Sequence, residues 1–120
     1  MSVTLAADVE NALATLKQGL QEIYGPRLKK LILYGSQARS GAGPDSDIDV
    51  AVILAAVGED GPINRGPINV GQEIARTSHL RQRINLDTGQ LVSLLYLSPE
   101  TLRDGQRLIY RNIRQDGLEL

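Results

Sequence analysis

Cysteine is absent from the 120 residues. That excludes a disulfide framework, a cysteine-based zinc ribbon and thiol chemistry. Histidine occurs once, as His79, and by itself makes neither a metal site nor a general base, so it is given no role. Neither sign of charge dominates: 13 basic side chains stand against 14 acidic ones, a formal net charge of −1. No global basic field of the kind that drives nonspecific nucleic-acid binding is present. Long apolar runs are missing too; the longest, Val50 to Val57, is far too short to span a bilayer. The N-terminus has no basic segment leading into a continuous apolar one, so the expectation is a soluble, cytoplasmic chain without a signal peptide. The length fits one domain, residues 1–120, with a single core.

What is present is organised around Leu31 to Leu54, LILYGSQARSGAGPDSDIDVAVIL. Leu31-Ile32-Leu33-Tyr34 ends in Gly35-Ser36, which reads as a strand running into a turn. A glycine lets the backbone approach a phosphate, and N–H groups at the start of a following helix point at it. Asp47-Ile48-Asp49 then opens a second strand. Side chains two apart on a strand project from one face, so Asp47 and Asp49 are expected to share oxygens around metal ions. Mg²⁺ takes hard oxygen ligands and keeps waters and substrate phosphates in its shell. Two carboxylates plus a triphosphate make a sensible site for it.

Gly35-Ser36, ten intervening residues, then Asp47-x-Asp49 resembles the signature of the nucleotidyltransferase superfamily related to DNA polymerase β. The fuller string GSQAR…SDIDVAV is similar to its minimal nucleotidyltransferase (MNT) branch, whose members pair with helical HEPN-domain proteins as antitoxin and toxin. The resemblance implies the polymerase β-like fold and ATP as substrate with Mg²⁺ or Mn²⁺. It assigns Asp47 and Asp49 to the metal, and Gly35 and Ser36 to the β- and γ-phosphates. It further implies AMP transfer onto a hydroxyl of a HEPN toxin. Arg39, one turn into a short helix, would reach a phosphate or serve a structural salt bridge. Many relatives carry a third carboxylate on the third strand. By order of elements that position falls near Ser93, which is not acidic, and Asp87, the nearest acid, sits beside Thr88-Gly89 in what reads as a turn. Either one metal suffices, the acceptor or partner supplies the base, or catalysis is weak or lost. The readings of function are transfer to the toxin, which the intact motif favours, neutralisation by binding alone, which the missing acid favours, and transfer to a small molecule.

The remaining chain supplies an α/β (α+β) mixture, a small mixed sheet backed by helices. Residues 4–24 read as an amphipathic helix with Val9, Leu13, Leu16, Leu20 and Ile23 on one stripe, stopped by Gly25-Pro26. Strands are expected at Leu28–Tyr34, Ile48–Leu54 and Leu91–Leu97. Ser36 to Arg39 reads as a short helix and residues 40–44 as a loop of small residues, either passing close to a nucleotide or simply connecting. Residues 56–68 read as a long loop, a lid or a surface insertion. Asn69–Arg83 reads as a helix with a stripe of Val70, Ile74, Thr77 and Leu80 or Arg81. Its Arg76, Arg81 and Arg83 would face a triphosphate, an acidic partner or only solvent. Ser98-Pro99-Glu100 starts a helix over 99–115, with Leu102, Ile109 and Ile113 inward and Arg103, Arg107, Arg111 and Arg114 along the rest.

Overall fold

Helix α1, Ala7–Tyr24, carries Asp8 and Glu10 in its first turn, where acids favour the helix dipole. It buries Val9, Ala12, Leu13, Leu16, Leu20 and Tyr24. Ile23 is exposed, a correction to the expected stripe. Tyr24 lies four residues from Leu20 and so continues its row, whereas Ile23 falls beside it. A 3₁₀ turn, Gly25–Arg27, ends the helix, with Gly25 at φ 53°. The computed structural model describes residues 7–35, 47–55 and 68–120. The expected short helix at 36–39, the loop at 40–44 and residues 56–67 of the long loop lie outside the described residues.

Three strands of the sheet follow the sequence pattern: β1, Leu28–Tyr34, β2, Ile48–Leu54, and β3, Val92–Leu97. A fourth, β4, Leu118–Glu119, adds a strand that the sequence reading lacks. The order is β3-β2-β1-β4. Strand β1 is antiparallel to β2 and β4, and β2 is parallel to β3. This is the mixed sheet backed by helices expected from the sequence. Apart from Asp49, every residue of β2 is buried, as a central strand covered on both faces requires.

Alternation along the strands divides the core in two. Leu31, Leu33, Ile48, Val50, Val52, Leu54 and Tyr96 face α1 and Ile84. Ile32, Ala51, Ile53 and Leu97 face the other way, toward Ile113, Leu102 and Tyr110. Asp49 has the parity of Ala51 and Ile53, which puts it on this second face.

Helix α2 is Val70–Thr88, one turn longer than expected. The Asn69 side chain accepts the Gln72 N–H at 3.1 Å, an N-cap. Gly89, at φ 74°, closes the far end. Asp87 is therefore helical, not in a turn, and pairs with Arg83 at 3.7 Å. The buried side is Glu73, Thr77 and Ile84, while Val70 and Ile74 are exposed. The expected apolar stripe is corrected because a polar network occupies its place. The Tyr24 hydroxyl donates to Glu73 at 2.9 Å, Arg76 Nε donates to the same carboxylate at 3.0 Å, and Arg27 approaches it at 3.6 Å. Thr77 and Tyr96 join hydroxyls beside it. A buried carboxylate is tolerated when its oxygens are this fully occupied.

The single helix expected over 99–115 is two: α3, Pro99–Asp104, and α4, Leu108–Asp116. Ser98 caps α3 by accepting the Thr101 N–H at 3.1 Å, as expected. Gly105 then leaves the helical region, at φ −60° and ψ 135°. Any β-carbon there would run into the Tyr110 ring, so the chain turns at a residue that packs tightly only as glycine. The four arginines thus do not form one row. Arg103 pairs with Asp104 at 3.0 Å, and Arg114 donates to the carbonyls of Leu102 and Gly105 at 2.8 and 2.9 Å.

Candidate functional site

Strand pairing sets three side chains in one row across the second face. Tyr34 of β1 is in register with Asp49 of β2, and Asp49 is in register with Ser93 of β3. Residues paired across a ladder point the same way. Tyr34 and Asp49 are partly buried, Tyr34 packing against the second core cluster, and Ser93 is exposed.

Gly35 follows Tyr34 at φ 73°, a region that L side chains rarely adopt. Space demands glycine as well. A β-carbon on Gly35 would stand 2.5 Å from Asp49 Oδ2, closer than any real carbon–oxygen contact. The turn backbone and the carboxylate are thus in direct apposition.

Asp47 precedes β2 and is exposed. Burial, and then the charge of Asp47, hold the Asp49 carboxyl above the usual carboxylate range. The Tyr34 hydroxyl is pushed up by burial and then by Asp49. The two acids act on one spot, and negative charge is crowded there. Tyr34 belongs to this cluster by register, although the sequence reading has it only as the last residue of a strand. Its parity with Ile32, set against that of Asp49, was the available signal.

The structure thus brings Gly35, Asp47 and Asp49 together, with Ser93 beside them. Ser36 and Arg39 lie outside the described residues. Among the described residues no group of three or more His, Asp or Glu is placed to hold a metal ion. Asp87 stands on α2, which covers the opposite face of the sheet. Arg76 is on that helix too, turned to Glu73, so of the alternatives the sequence leaves for it the triphosphate is set aside.

A family model described as a nucleotidyltransferase domain matches residues 13–111. The chain belongs to this family. No curated protein matches the sequence. Among solved structures, the fold is shared with a protein from Sulfolobus solfataricus described as a nucleotidyltransferase. That likeness has TM-score 0.55 and 18% identity, covering 97% of this chain and 87% of that one. It is shared with a chain of a toxin–antitoxin complex containing AMP-PNP, at TM-score 0.54 and 20% identity over 92% and 70% of the two chains. A third similar chain comes from the toxin–antitoxin MntA-HpeT carrying two Asp→Glu substitutions two positions apart. Its TM-score is 0.52 at 18% identity, over 91% and 70%. No helix among the described residues is long and apolar enough to cross a membrane.

Proposed function

We propose that this nucleotidyltransferase-domain chain transfers AMP from ATP to a hydroxyl of a HEPN-type toxin, and is its antitoxin. The observation that carries the reading is the apposition of the Gly35 turn and the Asp49 carboxylate, with Asp47 raising the negative charge there. Burial and then the charge of Asp47 disfavour the ionised Asp49 carboxylate; a divalent cation offsets both. Asp47 and Asp49 would hold that cation, Mg²⁺ or Mn²⁺, which when bound stabilises charge on the transferring phosphoryl group. Gly35, with Ser36 next in the chain, would offer backbone N–H groups to the β- and γ-phosphates. Arg39 is proposed as a further phosphate ligand. The supporting likenesses are a toxin–antitoxin complex solved with AMP-PNP and one altered at two aspartates spaced as Asp47 and Asp49 are.

The test has two arms. Calorimetry should show ATP binding that requires Mg²⁺ or Mn²⁺ and is lost in Asp47→Asn plus Asp49→Asn; unchanged affinity in that variant would sink the site. Co-expression with a HEPN-type protein should then give a mass gain of one or more AMP units on that protein, absent with Asp47→Asn.

A second reading is favoured by Ser93. It stands in register with Asp49, where the resemblance calls for a third carboxylate, and it is no acid. In this reading the chain neutralises the toxin by contact alone. Complex formation and neutralisation without a mass gain would decide for it.

A further inference from the structure

A groove of about 480 Å³ opens on the same face of the sheet as Asp49 but toward its other end. Ile53 in its floor is four residues along β2 from Asp49, or about 13 Å at the usual rise of a strand. Its size falls in the range of ligand clefts. The floor is apolar: Leu102 and Pro99 line it over the buried side chains of Ile32, Ile53 and Ile113. Among the described residues the rim is cationic: Lys29, Lys30, Arg103 and Arg114 stand there against one acid, Glu119. In a chain whose formal net charge is −1, that is a local concentration of one sign.

The cations differ in how far they are already engaged. Lys30 pairs with Glu119 at 3.4 Å, and Arg103 with Asp104. Lys29 and Arg114 have no carboxylate partner among the described residues. Arg114 is nevertheless fixed, because two backbone carbonyls hold its guanidinium. A positioned cation beside an apolar floor meets an anion with little ordering cost.

We propose that this groove docks an acidic segment of a partner protein, one or two apolar side chains in the floor with Asp or Glu on either side. Charge complementarity chooses the sign of the partner. The floor chooses its class. Bases of single-stranded nucleic acid bind by stacking on aromatic rings, and among the described residues that line the groove none is aromatic. The proposal does not rest on the transferase reading, because none of the groove residues belongs to the nucleotide site.

The experiment is amide NMR titration of the ¹⁵N-labelled chain with a panel of synthetic hexapeptides, Leu-Ile flanked by Glu and Asp. Controls replace the acids by Lys or the Leu-Ile pair by Ser, and oligouridine serves as the nucleic-acid probe. The acidic apolar peptides should give saturable shifts centred on Ile32, Ile53, Leu102 and Ile113, weakening with added salt. Lys29→Glu, an exposed change that disturbs no ion pair of the described residues, should weaken binding about tenfold, and Arg114→Glu at least as much. Mg²⁺–ATP binding should be unchanged in Lys29→Glu, which separates failure here from failure at the nucleotide site. Absence of saturable shifts, equal response to the Lys or Ser peptides, or preferential shifts with oligouridine would each overturn the proposal. So would concentration-dependent shifts at the same residues without peptide, which would make the occupant a second copy of the chain.

Discussion

Gly35 and Asp49 touch: Asp49 Oδ2 occupies the space that a β-carbon on Gly35 would need. Gly35→Ala therefore meets two obstacles at once. The left-handed conformation costs an alanine about 1–2 kcal/mol, and the methyl group displaces the carboxylate. The variant is expected to fold with a lowered Tm and to lose the stabilisation that Mg²⁺–ATP gives the wild type. A thermal melt with and without Mg²⁺–ATP checks both. An unchanged ligand-induced shift would show that the apposition does not matter for binding.

Asp49 binds its proton more tightly folded than unfolded, because burial and Asp47 disfavour its charge. Between the ordinary carboxylate value and the raised one, the folded state holds more protons than the unfolded state. Stability thus falls as pH rises through that window, and the deficit is complete above it. Asp49→Asn removes the deficit. Its Tm should exceed that of the wild type at neutral pH, and the gap should close below the ordinary carboxylate range. Melts at about pH 3 and about pH 8 measure it.

Ser93→Asp places a carboxylate in register beside Asp49. Without metal it adds a third negative charge to the cluster and should lower Tm at neutral pH. With Mn²⁺ or Mg²⁺ that loss should reverse, and calorimetry should show tighter metal binding than in the wild type. Metal affinity no different from wild type would mean that this position does not complete the site.

Tyr24→Phe removes the hydroxyl that donates to the buried Glu73 carboxylate. A hydrogen bond to a charged group contributes about 1.5–3 kcal/mol, so a loss in the lower half of that range is expected by denaturant unfolding. Arg76 and Arg27 still hold the carboxylate. Glu73→Ala should cost more, since it leaves Tyr24 without its acceptor and both arginines without their anion. ATP binding should be unaffected in Tyr24→Phe, because the network lies across the sheet from Asp49.

The strand pattern was legible wherever one face or both had to be apolar. Leu28–Tyr34 and Ile48–Leu54 begin and end where the sequence places them. The alternation of Asp47 and Asp49, the glycine turn and the place of Ser93 opposite Asp49 could also be read, since register follows from element order and period. Strand β4 could not. Two residues carry no period, and Leu118-Glu119 is a strand only because β1 offers it an edge. The buried side of α2 was hidden for a different reason. Glu73 and Thr77 look like solvent residues until Tyr24, Arg27 and Tyr96 arrive from elsewhere in the chain to satisfy them. The break at Gly105 was masked by Ile109 and Ile113, whose spacing suits a continuous helix, although Gly105 packs against the ring of Tyr110 with no room for a side chain.

Central strand β2 has one neighbour close in sequence and one far away. It meets β1 across residues 35–47, but meets β3 only across residues 55–91, which include all of α2. Closing the shorter loop costs less entropy, and the parallel pairing must await the crossover helix. During folding, then, Gly35, Asp47 and Asp49 come together with the β1–β2 pair, and Ser93 joins when β3 docks. Pulse-labelled hydrogen exchange should protect Leu31 to Leu33 and Val50 to Val52 before Leu94 to Leu97. Simultaneous protection would argue for one concerted step. If the order holds, a nascent chain released before β3 is made already contains the glycine turn and both aspartates, and what it lacks is the strand that walls them in.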